Sequence, residues 1–135
     1  MVYYFSRNML GLSSSAVPSP AQGAVVTKAV IRAAGALEVS NKALAKILGL
    51  SEASVSRMGT GSFELKPADK TFEVAILFLR LYRALDAIVG GDEAVARAWL
   101  KNPHTTLAGS PAVLIQSLSG LVNVVGYLDA RRALV

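Results

Sequence analysis

A chain of 135 residues, 53% hydrophobic and 17% charged, has apolar material for one packed interior and is too short for a multi-domain enzyme. With no cysteine and a single histidine, His104, it is denied a disulfide framework, a thiolate metal site, a cysteine nucleophile and any histidine-based metal cluster; the reading is of a protein that is not an enzyme and needs no cofactor or metal. The net charge of +5 is unevenly spread, with six basic against two acidic groups in residues 1–60 and eight against seven in residues 61–135.

Residues 1–23, with Ser13-Ser14-Ser15 and Pro18-Ser19-Pro20, read as a flexible lead-in. Arg7 and Asn8 interrupt the place where the apolar core of a signal peptide would lie, so the segment is not read as one, and a cytoplasmic location is expected. From Val25 onward the apolar residues follow a helical period, and no Asn-Gly or Asp-Gly hairpin signal occurs. The fold class is all-α. Val26, Ala29, Val30, Ala33 and Leu37 form the first stripe. Ser40 caps a second helix through Leu44, Ala45 and Leu48, which Gly49 stops. Ser51 caps a short third helix ending at Met58, and Gly59-Thr60-Gly61-Ser62 breaks the chain.

Pro67 is expected to open a long central helix reaching about Val89. Its charges, Glu73, Arg80, Arg83 and Asp86, exclude a membrane span. It is apolar on two faces, Phe72, Ile76, Leu79 and Tyr82 on one and Val74, Leu77, Phe78 and Leu81 on the other, which suggests burial both within the fold and across a homodimer. Gly90-Gly91 ends it, and Asp92 caps a helix carrying Val95 and Trp99 up to Asn102-Pro103. Ser110-Pro111 starts another through Val113, Leu114 and Leu118, and Gly120 is read as the separator before the last helix. There Leu121, Val124, Val125 and Leu128 line one side, and Arg131 and Arg132 suit the negative end of the helix dipole.

The chemistry concentrates in residues 40–60. In a helix-turn-helix the first helix of the pair needs a small residue at the crossing, the turn a glycine, and the second helix an apolar anchor. Ala45, Gly49 and Val55 supply these, and Leu44, Leu48, Leu50 and Met58 fill the remaining interior positions. The third helix then turns Ser51, Glu52, Ala53, Ser54, Ser56 and Arg57 outward, short and polar enough for a major groove. Arg57 suits guanine or phosphate, and Glu52 suits cytosine N4. Lys42, Lys46 and Thr60 are placed for the DNA backbone, and the local positive charge agrees. The division expected is a helix-turn-helix domain over 24–66 and, over 67–135, the central helix with a small second helical domain.

Together these features resemble the Xre/ParS/MbcA family of antitoxins, partners of RES-domain toxins. The Xre-like part is Ser40 to Met58. The toxin-binding part is carried by Gly91-Asp92-Glu93, Trp99-Leu100, Asn102-Pro103, Leu107 and Gly109-Ser110-Pro111, with a helix, Gly120 and a short terminal helix following in order. Many members finish in a glycine-terminated turn, whereas this chain closes with Arg131-Arg132-Ala133-Leu134-Val135. The resemblance implies two partners: a cognate RES-domain toxin that consumes NAD, to be neutralised, and the operator DNA of its own promoter, to be repressed. It implies further that Gly91 to Val135 hold the toxin. The residues of the last helix leave two readings open: it simply completes the fold, with its arginines solvated at a favourable dipole end, or Leu121, Val125 and Leu128 anchor it and leave Tyr127, Asp129, Arg131, Arg132, Leu134 and Val135 for the partner, where the carboxylate of Val135 could take the place of a phosphate of NAD.

Other chemistry is set aside. His104 reads as a solvated loop histidine, Trp99 as core, and Gly59-Thr60-Gly61-Ser62 lacks the preceding strand and following lysine of a phosphate loop. The competing function is a dimeric helix-turn-helix repressor without a toxin partner, which the neighbouring gene would distinguish.

Overall fold

The computed structural model describes residues 20–133, which contain seven helices and no strand. They are α1 (Pro20–Leu37), α2 (Asn41–Leu48), α3 (Glu52–Thr60), α4 (Lys70–Ile88), α5 (Glu93–Lys101), α6 (Pro111–Leu114) and α7 (Leu118–Arg132). A helix-turn-helix domain is followed by a second helical domain. No described helix is long and apolar enough to cross a membrane.

Local chemistry sets most boundaries. The side-chain oxygens of Ser40, Ser51, Asp92 and Ser117 accept hydrogen bonds from the backbone N–H groups of Ala43, Ser54, Val95 and Gly120, satisfying donors that a first helical turn leaves open. Gly49 ends α2 in the left-handed region at φ 72, where a side chain would be strained, and this is what lets the chain turn into α3.

Three boundaries differ from the sequence reading. First, α1 begins at Pro20, six residues before Val26 opens the apolar stripe, and Gly23 in its first turn sits directly against the carbonyl of Leu65; residues 1–19 of the expected lead-in lie outside the described residues. Second, Pro67 does not open α4: it lies in a turn in which Asp69 N–H donates to the Lys66 carbonyl at 2.9 Å, and the helix starts at Lys70. Third, Gly120 does not separate two helices. It lies in the first turn of α7, where an added Cβ would strike the Leu114 carbonyl, so the glycine permits α6 and α7 to meet closely.

At the centre is α4. Its Ala75, Phe78, Leu81, Ala84 and Leu85 are fully buried, and α1, α2, α5 and α7 all pack on it. Phe72, Val74, Leu77, Leu79 and Tyr82 also rest on the core, leaving Ile76 as the exposed member of the two apolar faces. Neighbours within one chain therefore cover most of what the sequence assigned partly to a dimer partner. One continuous core runs from Val30 on α1 through Leu44 and Val55 to Leu121 and Leu128 on α7.

Thr27, the buried polar residue of that interior, donates to the Gly23 carbonyl at 2.6 Å and accepts from Leu65 N–H at 2.9 Å, pinning α1 to the loop before α4. At the other end of α1, Arg97 of α5 donates to the Ala36 carbonyl at 3.1 Å. Arg97 and Lys101 also reach Glu38 at 3.5 and 3.8 Å. Cations thus sit where the α1 dipole is negative, and the second domain is fastened to the first.

Candidate functional site

The outward face of α3 follows from its short length and its two internal anchors, Val55 and Met58. Ser51, Glu52, Ala53, Ser56, Arg57 and Thr60 are exposed, and Ser54 is half-buried. A chain of side-chain bonds runs along the helix: Ser51 Oγ donates to Ser54 Oγ at 2.9 Å, and Arg57 Nη2 donates to the same oxygen at 3.2 Å. The Arg57 guanidinium also lies 5.9 Å from the Phe63 ring centre. Arg57 is thus held along α3, and Thr60 Oγ1 bonds back to the Arg57 carbonyl at 3.2 Å. On α2, Lys42 and Lys46 are exposed and flank a shallow polar groove closed by Ser40, Ala43 and, from the second domain, Gln116. A separate groove lies between α1 and the end of α3, with Lys28 and Arg32 on one side and Gly59, Thr60 and Gly61 on the other.

The second domain is built differently. Tyr127 of α7 stacks on Trp99 of α5 with centroids 6.3 Å apart and planes 20° apart, and the His104 ring lies 4.7 Å from Trp99. His104 Nε2–H donates to the Trp99 carbonyl at 3.0 Å, and His104 N–H to the Gly109 carbonyl at 3.0 Å. These bonds close the 104–109 loop, so His104 is half-buried and pinned rather than solvated, and Trp99 is half-buried rather than core. Arg131 Nη1 donates to the Tyr127 hydroxyl at 3.1 Å, and Arg80 pairs with Asp129 at 2.7 Å. In the same domain Val113 on α6 and Leu118 and Val122 on α7 are 66%, 58% and 51% exposed, apolar side chains turned to the outside. On α4, the Tyr82 phenol is pushed above the usual tyrosine range by burial first, with Asp86 and Glu93 adding to the effect and Arg32 opposing it. Among the described residues no group of acidic or histidine side chains is placed to hold a metal ion.

Residues 16–80 match the family model of the antitoxin Xre-like helix-turn-helix domain, and residues 84–133 match that of the antitoxin Xre/MbcA/ParS C-terminal toxin-binding domain. The chain belongs to the Xre-type antitoxins. Its first domain is thereby a DNA-binding one and its second a toxin-binding one, and neither family is enzymatic. No curated protein matches the sequence.

In this antitoxin the DNA-directed residues read from the sequence, Lys42, Lys46, Ser51, Glu52, Ala53, Ser56, Arg57 and Thr60, are all exposed on the helix-turn-helix domain. Those read for the toxin share one end of α7, but Tyr127, Asp129 and Arg131 already have partners within the chain. Arg132 is exposed with no side-chain partner among the described residues, and Leu134 and Val135 lie outside them. Sequence reasoning missed two features. Leu118 was read as the end of the helix that starts at Ser110-Pro111, although Ser117 just before it is a cap residue and signals a new helix, and Leu118 in its first turn is exposed. Lys28 and Arg32 were passed over because nothing in the sequence shows that α1 borders the end of α3.

Proposed function

We propose that this antitoxin binds and neutralises a cognate NAD-consuming RES-domain toxin, and that it represses its own operon by binding operator DNA as a homodimer in the cytoplasm. The observation that carries the reading is the presence of two unlike surfaces on one core: a short polar face on α3 beside exposed lysines, and exposed apolar residues on α6–α7 inside the toxin-binding domain. Ser51, Glu52, Ala53, Ser56 and Arg57 meet base edges, while Lys42, Lys46 and Thr60 meet the backbone. A lone recognition helix reads few bases, so two copies at half-sites about 34–36 Å apart supply the specificity. On the other surface Tyr127, Asp129, Arg131, Arg132, Leu134 and Val135 meet the toxin, together with the exposed apolar residues of α6–α7. The RES class of that toxin and its appetite for NAD rest on the sequence resemblance.

Co-expression with the product of the adjacent gene tests the toxin half. Cells expressing both should grow and keep their NAD, whereas cells expressing the neighbour alone should lose it; unchanged NAD in the latter removes the RES assignment. Truncation after Ala133 tests the tail, because it keeps the cap of α7, in which Ala133 N–H donates to the Asp129 carbonyl at 3.2 Å. Full rescue of growth by the truncated protein excludes a role for Leu134 and Val135.

A further inference from the structure

We infer that the groove between α1 and the end of α3 is a second clamp for the DNA backbone, in which Lys28 and Arg32 hold phosphates that the α2 lysines do not reach. The inference rests on the DNA-binding reading of α3 and extends its footprint to α1. Lys28 and Arg32 are four residues apart and so share one face of α1. Both are exposed, and among the described residues neither enters an ion pair. Two cations without an ion-pair partner on one helix face attract an anion, and they border an open groove of about 470 Å³.

The rest of the groove suits a sugar-phosphate strand. Ile31 and Met58 line it with apolar atoms against which a deoxyribose can rest, and Thr60 borders it on the α3 side. Gly59 and Gly61 send no side chain into it, and open space surrounds both positions. The occupant is DNA because the groove is continuous with the last turn of α3, the turn that carries Arg57 and Thr60. It shares no lining residue with the groove of Lys42 and Lys46, so the two clamps grip separate parts of the backbone.

The test compares the full-length protein with the double variant Lys28→Gln/Arg32→Gln on its own promoter fragment and on a random fragment, over a series of salt concentrations. Two lost phosphate contacts should lower the slope of log K against log salt by about 1.8 and weaken binding to both fragments alike, by about 60-fold at 0.1 M salt. Gly59→Glu places a carboxylate in the groove while sparing both cations, and should weaken both fragments in the same way. Toxin affinity should stay unchanged in all variants. If the wild-type protein retards no fragment, the DNA reading itself fails. If the wild type binds while the variants keep its affinity and slope, the clamp is wrong and the reading of α3 stands. Loss of toxin affinity with DNA binding intact overturns the clamp in favour of a protein in that groove.

Discussion

Helices α3 and α7 end up on the same core with opposite exteriors. Of the nine residues of α3, Val55 and Met58 go inside, and the outer face consists of hydroxyls, one carboxylate, one guanidinium and small side chains. Helix α7 buries Leu121, Val124, Val125 and Leu128 and still leaves Leu118 and Val122 outside. A surface of short polar groups bonded to one another favours a wet, charged partner, since it gives up little hydration and offers many donors. Exposed apolar side chains favour a dry partner, since burial there gains about 25 cal/mol per Å². One fold therefore presents two chemistries without two separate cores, and the contrast can be probed from the inside outward.

The largest effect belongs to the shared interior. Phe78→Ala should cost about 3–5 kcal/mol and remove DNA binding and toxin binding together, with a single urea transition followed by circular dichroism. Two transitions would show that the halves are independent units. Gly120→Ala should cost about 3 kcal/mol, because its Cβ meets a backbone carbonyl that cannot rotate away, and the loss should appear in the same global transition. Ser40→Ala and Ser117→Ala remove equivalent caps in the two domains. Each should cost about 1 kcal/mol of global stability, and a clear inequality between them would argue that one domain frays by itself. Smallest is Arg80→Ala, which breaks the exposed pair with Asp129 and should cost under about 1 kcal/mol in thermal unfolding.

How much of this was legible in the sequence depended on whether the cause was local. Caps at Ser40, Ser51 and Asp92 and the stop at Gly49 are properties of a few neighbouring residues, and they were readable, as was the interior of the helix-turn-helix. Gly120 was not, because a glycine ending a helix and a glycine admitting another backbone look alike until Leu114 is known to lie above it. The two apolar faces of α4 suggested a second chain, yet helices of its own chain cover most of both. The surfaces divide the same way. Exposure of the α3 face follows from the helical period, whereas the Trp99–His104–Tyr127 stack and the Lys28–Arg32 groove arise from helices brought together by the core.

The separation of the two surfaces is tested most directly by measuring operator affinity and toxin affinity side by side for Arg57→Ala and Val122→Asp. Arg57→Ala should lose about 1–3 kcal/mol of operator binding and keep its toxin affinity. Val122→Asp should lose about 2 kcal/mol of toxin binding and keep its operator affinity, with both proteins as stable as the parent. If either folded variant loses both affinities, one surface serves both partners and the division drawn between α3 and α7 is wrong.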